Sequence, residues 1–171
     1  SGTSLRIVQA DILHVRFDEI LPADVSFVIA GNFPYNISSQ IVFLGLQLRH
    51  RVPFMAGMFQ KEMAERICSE PGSKAFGVIS VLVQAYYTTS LLFTVKPGSF
   101  APPPKVQSAV ISLTRYRHEI EGVPYNVLRQ VVKMAFSQRR KKIRNTLKSL
   151  IPEETLKELA LVDLRPEQLT V

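Results

Sequence analysis

The sequence predicts an α/β protein: the back half of a doubly wound sheet with an antiparallel edge, followed by a small all-helical domain. Up to about residue 117, short β-rich apolar runs alternate with helical patterns. Two late runs, residues 90–95 and 106–113, have no helix pattern between them and suit an antiparallel pair. Beyond Tyr116 strand signals stop and helical ones take over. The division expected from this change is 1–117 for the sheet domain and 118–171 for the helical one.

The elements follow in order. Leu5-Arg6-Ile7-Val8 and Ser26-Phe27-Val28-Ile29-Ala30 are short apolar runs ending in polar residues, as buried parallel strands do. Residues 38–48 and 61–68 have helical spacing, with residues 53–59 between them as another buried strand. Residues 76–86 are apolar on most faces and predict a buried helix. After the polar link His118-Glu119-Ile120-Glu121-Gly122, one helical pattern runs from about Pro124 to Leu150. A second opens at Pro152 and a third at Pro166. A doubly wound fold starts with a strand, a glycine-rich turn and a helix that hold its cofactor. None precedes Leu5, so the chain is expected to be truncated at its N-terminus, and its last helical pattern to be cut short.

Composition narrows the function classes. A single cysteine, Cys68, excludes an internal disulfide framework and fits a reducing, cytoplasmic setting. His14, His50 and His118 are scattered, and no metal site is expected. No targeting segment or membrane span is visible. The net charge of +7 is unevenly placed. Residues 1–60 balance four basic against four acidic side chains, whereas residues 123–150 hold eight basic and no acidic ones. Such a block suits a polyanion.

The chemistry centres on Asn32-Phe33-Pro34-Tyr35, placed at the carboxyl end of a strand, where α/β sheets hold their ligands. The amino group of adenine is a poor nucleophile because its lone pair is delocalised into the ring. Two acceptors that hold both amino hydrogens direct the nitrogen's electron density outward. The Asn32 side-chain carbonyl and the Phe33 backbone carbonyl can supply them. Pro34 restricts the backbone and biases Phe33 towards extended geometry, aiming that carbonyl. Tyr35 offers a face for stacking an extruded base, a contact worth about 1–3 kcal/mol. Four residues alone also fit a plain turn after a strand.

The surrounding stretches resemble a family. Asn32-Phe33-Pro34-Tyr35-Asn36-Ile37-Ser38-Ser39 is similar to the adenine-methylating motif of the ribosomal RNA adenine dimethyltransferases. In order with it stand Gln9-Ala10-Asp11-Ile12, Phe59-Gln60-Lys61-Glu62 with Arg66, Phe100-Ala101-Pro102-Pro103-Pro104-Lys105-Val106 with Ser108-Ala109-Val110, and Phe136-Ser137-Gln138-Arg139-Arg140-Lys141-Lys142-Ile143-Arg144-Asn145. The likeness spans nearly the whole chain and is greatest to the bacterial branch that dimethylates two adjacent adenines near the 3′ end of small-subunit (16S) rRNA during ribosome maturation.

The resemblance implies a Rossmann-like, S-adenosylmethionine-dependent methyltransferase domain, with a monomer acting on small-subunit rRNA in the pre-30S particle. It implies that Asp11 accepts from the cofactor's adenine amino group, that the Ile12 N–H reaches its ring, and that Asn32 touches both substrates. Asp11 also suits a turn cap after a strand. Phe100 would be the second aromatic wall of the target pocket, opposite Tyr35, on a loop stiffened by Pro102-Pro103-Pro104. No general base is required, because the methylated amine loses its proton to water. The family's glycine loop and ribose-binding acid would lie before Ser1, so the chain alone is expected to hold the cofactor weakly and to be inactive.

Plotted at about 100° per residue, a continuous helix from Pro124 to Leu150 gathers Leu128, Val132, Phe136, Ile143, Leu147 and Leu150 into one apolar stripe. Arg129, Lys133, Arg140, Lys141, Arg144 and Lys148 fall along its flank and are assigned to RNA phosphates, with Lys105 from the proline loop. Arg139 falls inside the stripe and is expected to pair with the other domain. Two other readings stay open: a macrolide-resistance type of large-subunit rRNA adenine methyltransferase, and a non-catalytic RNA-binding assembly or transcription factor of the same fold. A DNA adenine methyltransferase is a third.

Overall fold

The computed structural model describes residues 5–171. Leu5–Val8, expected as a strand, joins no sheet among the described residues, and Leu5 and Ile7 are 88% and 85% exposed. An apolar run needs a neighbouring strand to satisfy its backbone, and no described strand pairs with it. A short helix, α1 (Phe17–Ile20), follows. The next stretch is held by buried Arg51, whose guanidinium donates to the Pro22 and Val25 carbonyls (2.7 and 3.0 Å) and to Asp18.

The first strand, β1 (Ile29–Asn32), is displaced towards the C-terminus of the expected run. It pairs in parallel with β2 (Phe54–Gln60), Ile29 opposite Met55 and Asn32 opposite Met58. The Phe27 N–H instead reaches the Arg51 carbonyl at 2.9 Å, and Val28 stays 54% exposed. The parallel pair requires a crossover, which α2 (Ser38–Gln47) supplies. The helices α3 (Lys61–Ile67) and α4 (Val78–Gln84) follow, then β3 (Tyr87–Val95) and β4 (Ser108–Arg115). The sheet order is β1-β2-β4-β3, with β4 antiparallel to both neighbours, so the expected antiparallel edge is present.

Alternation along β2 and β4 turns Met55, Phe59, Ile111 and Leu113 into the core. Ile41, Val42 and Leu46 of α2 and Ile79, Leu82 and Val83 of α4 join them in one buried cluster. The first turn of α4 and the end of α3 are tied through Ser80, whose hydroxyl accepts from the Gly77 N–H and donates to the Arg66 carbonyl. Burial pushes the Cys68 thiol up, which disfavours its thiolate form.

The basic segment departs from the single helix predicted for it. Helix α5 (Tyr125–Ser137) ends where Gln138 leaves helical geometry, and α6 (Ile143–Leu147) starts anew. A local and a tertiary contact favour the break. The Ser137 hydroxyl donates back to the Met134 carbonyl at 2.7 Å. The first N–H groups of α6, from Ile143 and Arg144, donate to the carbonyls of Leu164 and Val162 at 2.9 and 3.1 Å. Pro152 precedes α7 (Glu153–Glu158), and Pro166 opens only a single 3-10 turn to Gln168.

Ala135, Ile143, Leu147 and Leu156 form a second apolar cluster, whereas Val132 of α5 belongs to the sheet core. The junction is aromatic: Phe76 packs on Phe136 and Tyr86 meets Tyr125 edge-on, with ring centroids 6.3 and 6.0 Å apart. The Arg49 guanidinium lies over both tyrosine rings and donates to the His118 carbonyl at 2.8 Å. No helix among the described residues is long and apolar enough to cross a membrane.

Candidate target-base cleft and basic surface

Asn32 is the last residue of β1, so its side chain leaves the sheet at the carboxyl edge and is exposed. Phe33 turns the other way. Its ring is buried against Phe59, with centroids 5.3 Å apart, and lies over two glycines. A Cβ at Gly31 would come within 3.2 Å of that ring. One at Gly57 would collide with it and approach the Gly31 carbonyl to 2.8 Å. The glycines form the seat in which the Phe33 ring anchors the loop. An isolated glycine in an apolar strand signals such a close approach, and Gly57 in Met55-Ala56-Gly57-Met58-Phe59 is that signal.

Beyond Pro34 the chain turns into α2. The Ile37 N–H donates to the Pro34 carbonyl at 3.2 Å, and the Ser38 hydroxyl to the Tyr35 carbonyl at 3.1 Å. The Tyr35 phenol is hydrogen-bonded to the hydroxyl of Ser108, a fully buried residue at the start of β4. With its hydroxyl engaged there, Tyr35 has its ring left for a ligand.

The loop between β3 and β4 folds back over this edge. It contains a 3-10 turn (Pro97–Ser99), a cis Ala101–Pro102 peptide and Phe100. Asn32, Phe33, Pro34, Tyr35, Phe100, Pro102 and Pro104 line one open cleft of about 370 Å³. Residues about seventy positions apart in sequence thus share one cavity, lined by aromatic and proline residues together with Asn32.

Asp11 and Ile12 do not line that cleft. Ile12 packs at the margin of the sheet core, and Asp11 is exposed. The Asp11 carboxylate accepts from the Leu13 N–H at 3.0 Å and lies 2.9 Å from His14 Nδ1. These two contacts, the backbone one first, hold its carboxyl below the usual value of 3.8. In this structure Asp11 is a turn cap.

Arg129 and Lys133 on α5, Arg140 and Lys141 in the break, Arg144 and Lys148 at α6, and Lys105 in the proline loop are all exposed. The break distributes them over two helices and a turn rather than one flank. Arg144 also pairs with Asp163 at 2.7 Å, a contact shared with Lys142 at 3.1 Å. Arg139 bridges the two parts of the molecule, donating to the Ser73 carbonyl at 3.0 Å and to Glu167 at 2.5 Å. Its expected partner is there, but the turn carries it there and not a helical stripe. The acidic partners Asp163 and Glu167 escaped the sequence reading, because no local pattern marks them.

Comparison with known proteins places the chain. The family model described as ribosomal RNA adenine dimethylase matches residues 1–166. The chain is 48% identical over 166 residues to the ribosomal RNA small subunit methyltransferase A of Flavobacterium johnsoniae, covering 97% of this chain and 63% of that protein. The protein of the same name from Bacteroides fragilis is 46% identical, with 96% and 61% covered. The chain therefore spans less than two thirds of the length of these relatives. A crystal structure of a dimethyladenosine transferase from Plasmodium falciparum superposes with a TM-score of 0.77 at 22% identity, over 95% of this chain and 67% of that one. The 23S rRNA methyltransferase ErmE gives 0.65 at 24%, over 94% and 67%, and both likenesses concern the fold alone. The motifs, the cleft shared by two of them and these matches agree: the chain belongs to the ribosomal RNA adenine dimethylase family.

Proposed function

We propose that this chain carries the target-base and RNA-contacting portion of an enzyme that N6,N6-dimethylates two adjacent adenines near the 3′ end of small-subunit rRNA. The observation that carries the reading is the single cleft shared by Asn32-Phe33-Pro34-Tyr35 and Phe100. A flat base enters between the Tyr35 and Phe100 rings. Its amino hydrogens are accepted by the Asn32 side-chain carbonyl and the Phe33 backbone carbonyl, which leaves the nitrogen lone pair directed outward. Phe33 suits this role because its buried ring fixes the backbone that aims the carbonyl. One of these acceptors serves again in the second transfer, since the monomethylated amine keeps one hydrogen.

The methyl donor of this reading is S-adenosylmethionine, which supplies a methyl group activated by its sulfonium sulfur. An exposed, ionised Asp11 carboxylate beyond the cleft fits the adenine amino group of such a donor, with Ile12 following it and Asn32 at the junction of the two substrates. Residues 118–171 form the RNA-binding domain. Arg129, Lys133, Arg140, Lys141, Lys148 and Lys105 meet phosphates, and Arg144 does so in competition with Asp163. The enzyme acts as a cytoplasmic monomer on the pre-30S particle.

Methyl transfer by the full-length protein onto unmethylated small subunits, set against protein-free large-subunit RNA, tests the proposal. Label entering two adjacent small-subunit adenines is expected. Label confined to large-subunit RNA, or no label on either, overturns it.

A further inference from the structure

Ser108 is buried and hydroxyl-bearing, and its hydrogen bond runs to the site rather than to a strand neighbour. Its position explains why this bond matters. Ser108 is the first residue of β4, opposite Gln60 at the end of β2 on one side and Val95 at the end of β3 on the other. The loop bearing Phe100 leaves the sheet at Val95 and returns at Ser108, so this pairing closes the loop at its base. The preceding residue is also clamped, because the Lys61 N–H donates to the Gln107 carbonyl at 2.9 Å. The Tyr35 phenol therefore bonds to the fixed root of the loop that brings Phe100, Pro102 and Pro104 into the cleft.

From this geometry we infer that Ser108 is a positioning residue for methyl transfer: its hydroxyl latches Tyr35 to the root of the Phe100 loop and sets the gap into which the target base fits. The inference rests on the proposed function for its consequence, though not for the latch. Tyr35 is held at two points, its carbonyl by Ser38 and its phenol by Ser108. With only the first, the ring can rotate about its side-chain bonds, and a stacked base loses its fixed distance from the Asn32 and Phe33 carbonyls. Misplacement of a reacting group by about 1 Å costs on the order of 100-fold in rate, so a ring loosened by less should cost about 10-fold.

The test uses the full-length protein with Ser108→Ala, Tyr35→Phe, the double variant and Ser108→Thr. Both single variants should lower kcat about 10-fold with KM for the RNA within about two-fold of wild type, because all the proposed phosphate contacts but Lys105 lie outside this loop. The double variant should be no worse than either single one, and Ser108→Thr should restore most of kcat. Multiplying losses in the double variant, or an unchanged kcat in Ser108→Ala, would overturn the inference. A readout independent of catalysis is the Tyr35 hydroxyl proton by NMR, protected from exchange in wild type and unprotected in Ser108→Ala. Should no adenine be methylated by the wild type, the functional reading fails while this proton still decides the latch. Equal exchange in both proteins removes it.

Discussion

The loop at Asn32–Tyr35 and the turn at Asp11–His14 both carry residues read as ligand-binding, yet they are held in different ways. The loop is fixed from outside itself: Phe33 by Phe59 and the seat at Gly31 and Gly57, Tyr35 by Ser108. The turn is held by its own members, with Asp11 capping Leu13 and contacting His14. Groups held by distant packing keep their geometry whatever the ligand does. Groups held by a local turn can exchange their partner for a ligand at small cost. The first arrangement suits the two carbonyls proposed to aim at one nitrogen, and the second suits the carboxylate proposed to accept from the methyl donor.

The largest expected effect tests the loop's chemistry. Asn32→Ala in the full-length enzyme should lower kcat by about 100- to 1,000-fold, the usual consequence of removing one preorganised polar contact at a reacting centre. RNA affinity in a filter-binding assay should be unchanged. Weakened RNA binding with intact turnover would make Asn32 a docking residue instead.

The seat comes next. Gly57→Ala places a methyl group where the Phe33 ring lies, so the ring must lift and take the loop with it. Overpacking of this kind costs about 1–3 kcal/mol, read as a lower midpoint in urea, with activity falling alongside. Gly72→Ala is the control for a glycine at positive φ (85°) with open space around it, and should cost stability without touching activity. Equal activity losses in the two variants would break the link between the seat and the loop.

The basic residues show the same contrast on a smaller scale. Charge reversal at Arg140, which has no ion pair among the described residues, should reduce the log–log salt slope of RNA binding by about 0.7 to 0.9. Reversal at Arg144 should change it less, because Asp163 already occupies that guanidinium. Identical slopes for both variants and wild type would assign the whole segment to a solvated surface.

The smallest effect concerns the turn. Asp11 has a depressed carboxyl pKa, so its contribution to the turn is full above the ordinary value of 3.8 and is lost as pH falls through the lower, folded-state value. The Leu13 amide resonance should therefore shift in acid below about 3.8, and that step should vanish in Asp11→Asn. An acid step that survives in Asp11→Asn would show that the turn is not capped by this carboxylate.

Much of this molecule was legible in its sequence. The strand–helix alternation gave β2, α2, α3, α4 and the antiparallel edge, because burial on one face leaves a period that local residues record. The Asn32–Tyr35 motif could be singled out too, since Asn, Pro and an aromatic face each have a local chemical reason to stand after a strand. Periodicity failed where the decisive contacts were remote. The run at Leu5–Val8 had strand composition and found no described partner, and the helix predicted through Ser137 broke because the Leu164 and Val162 carbonyls receive the first N–H groups of α6. Only the tertiary structure could bring Phe100 to Tyr35, seat Phe33 over Gly57, tie Tyr35 to Ser108 and give Arg144 its partner Asp163. The physical reason is the same in each case. A sequence records what a residue needs from its neighbours along the chain, whereas these contacts join residues that only the closed sheet and packed helices bring within reach.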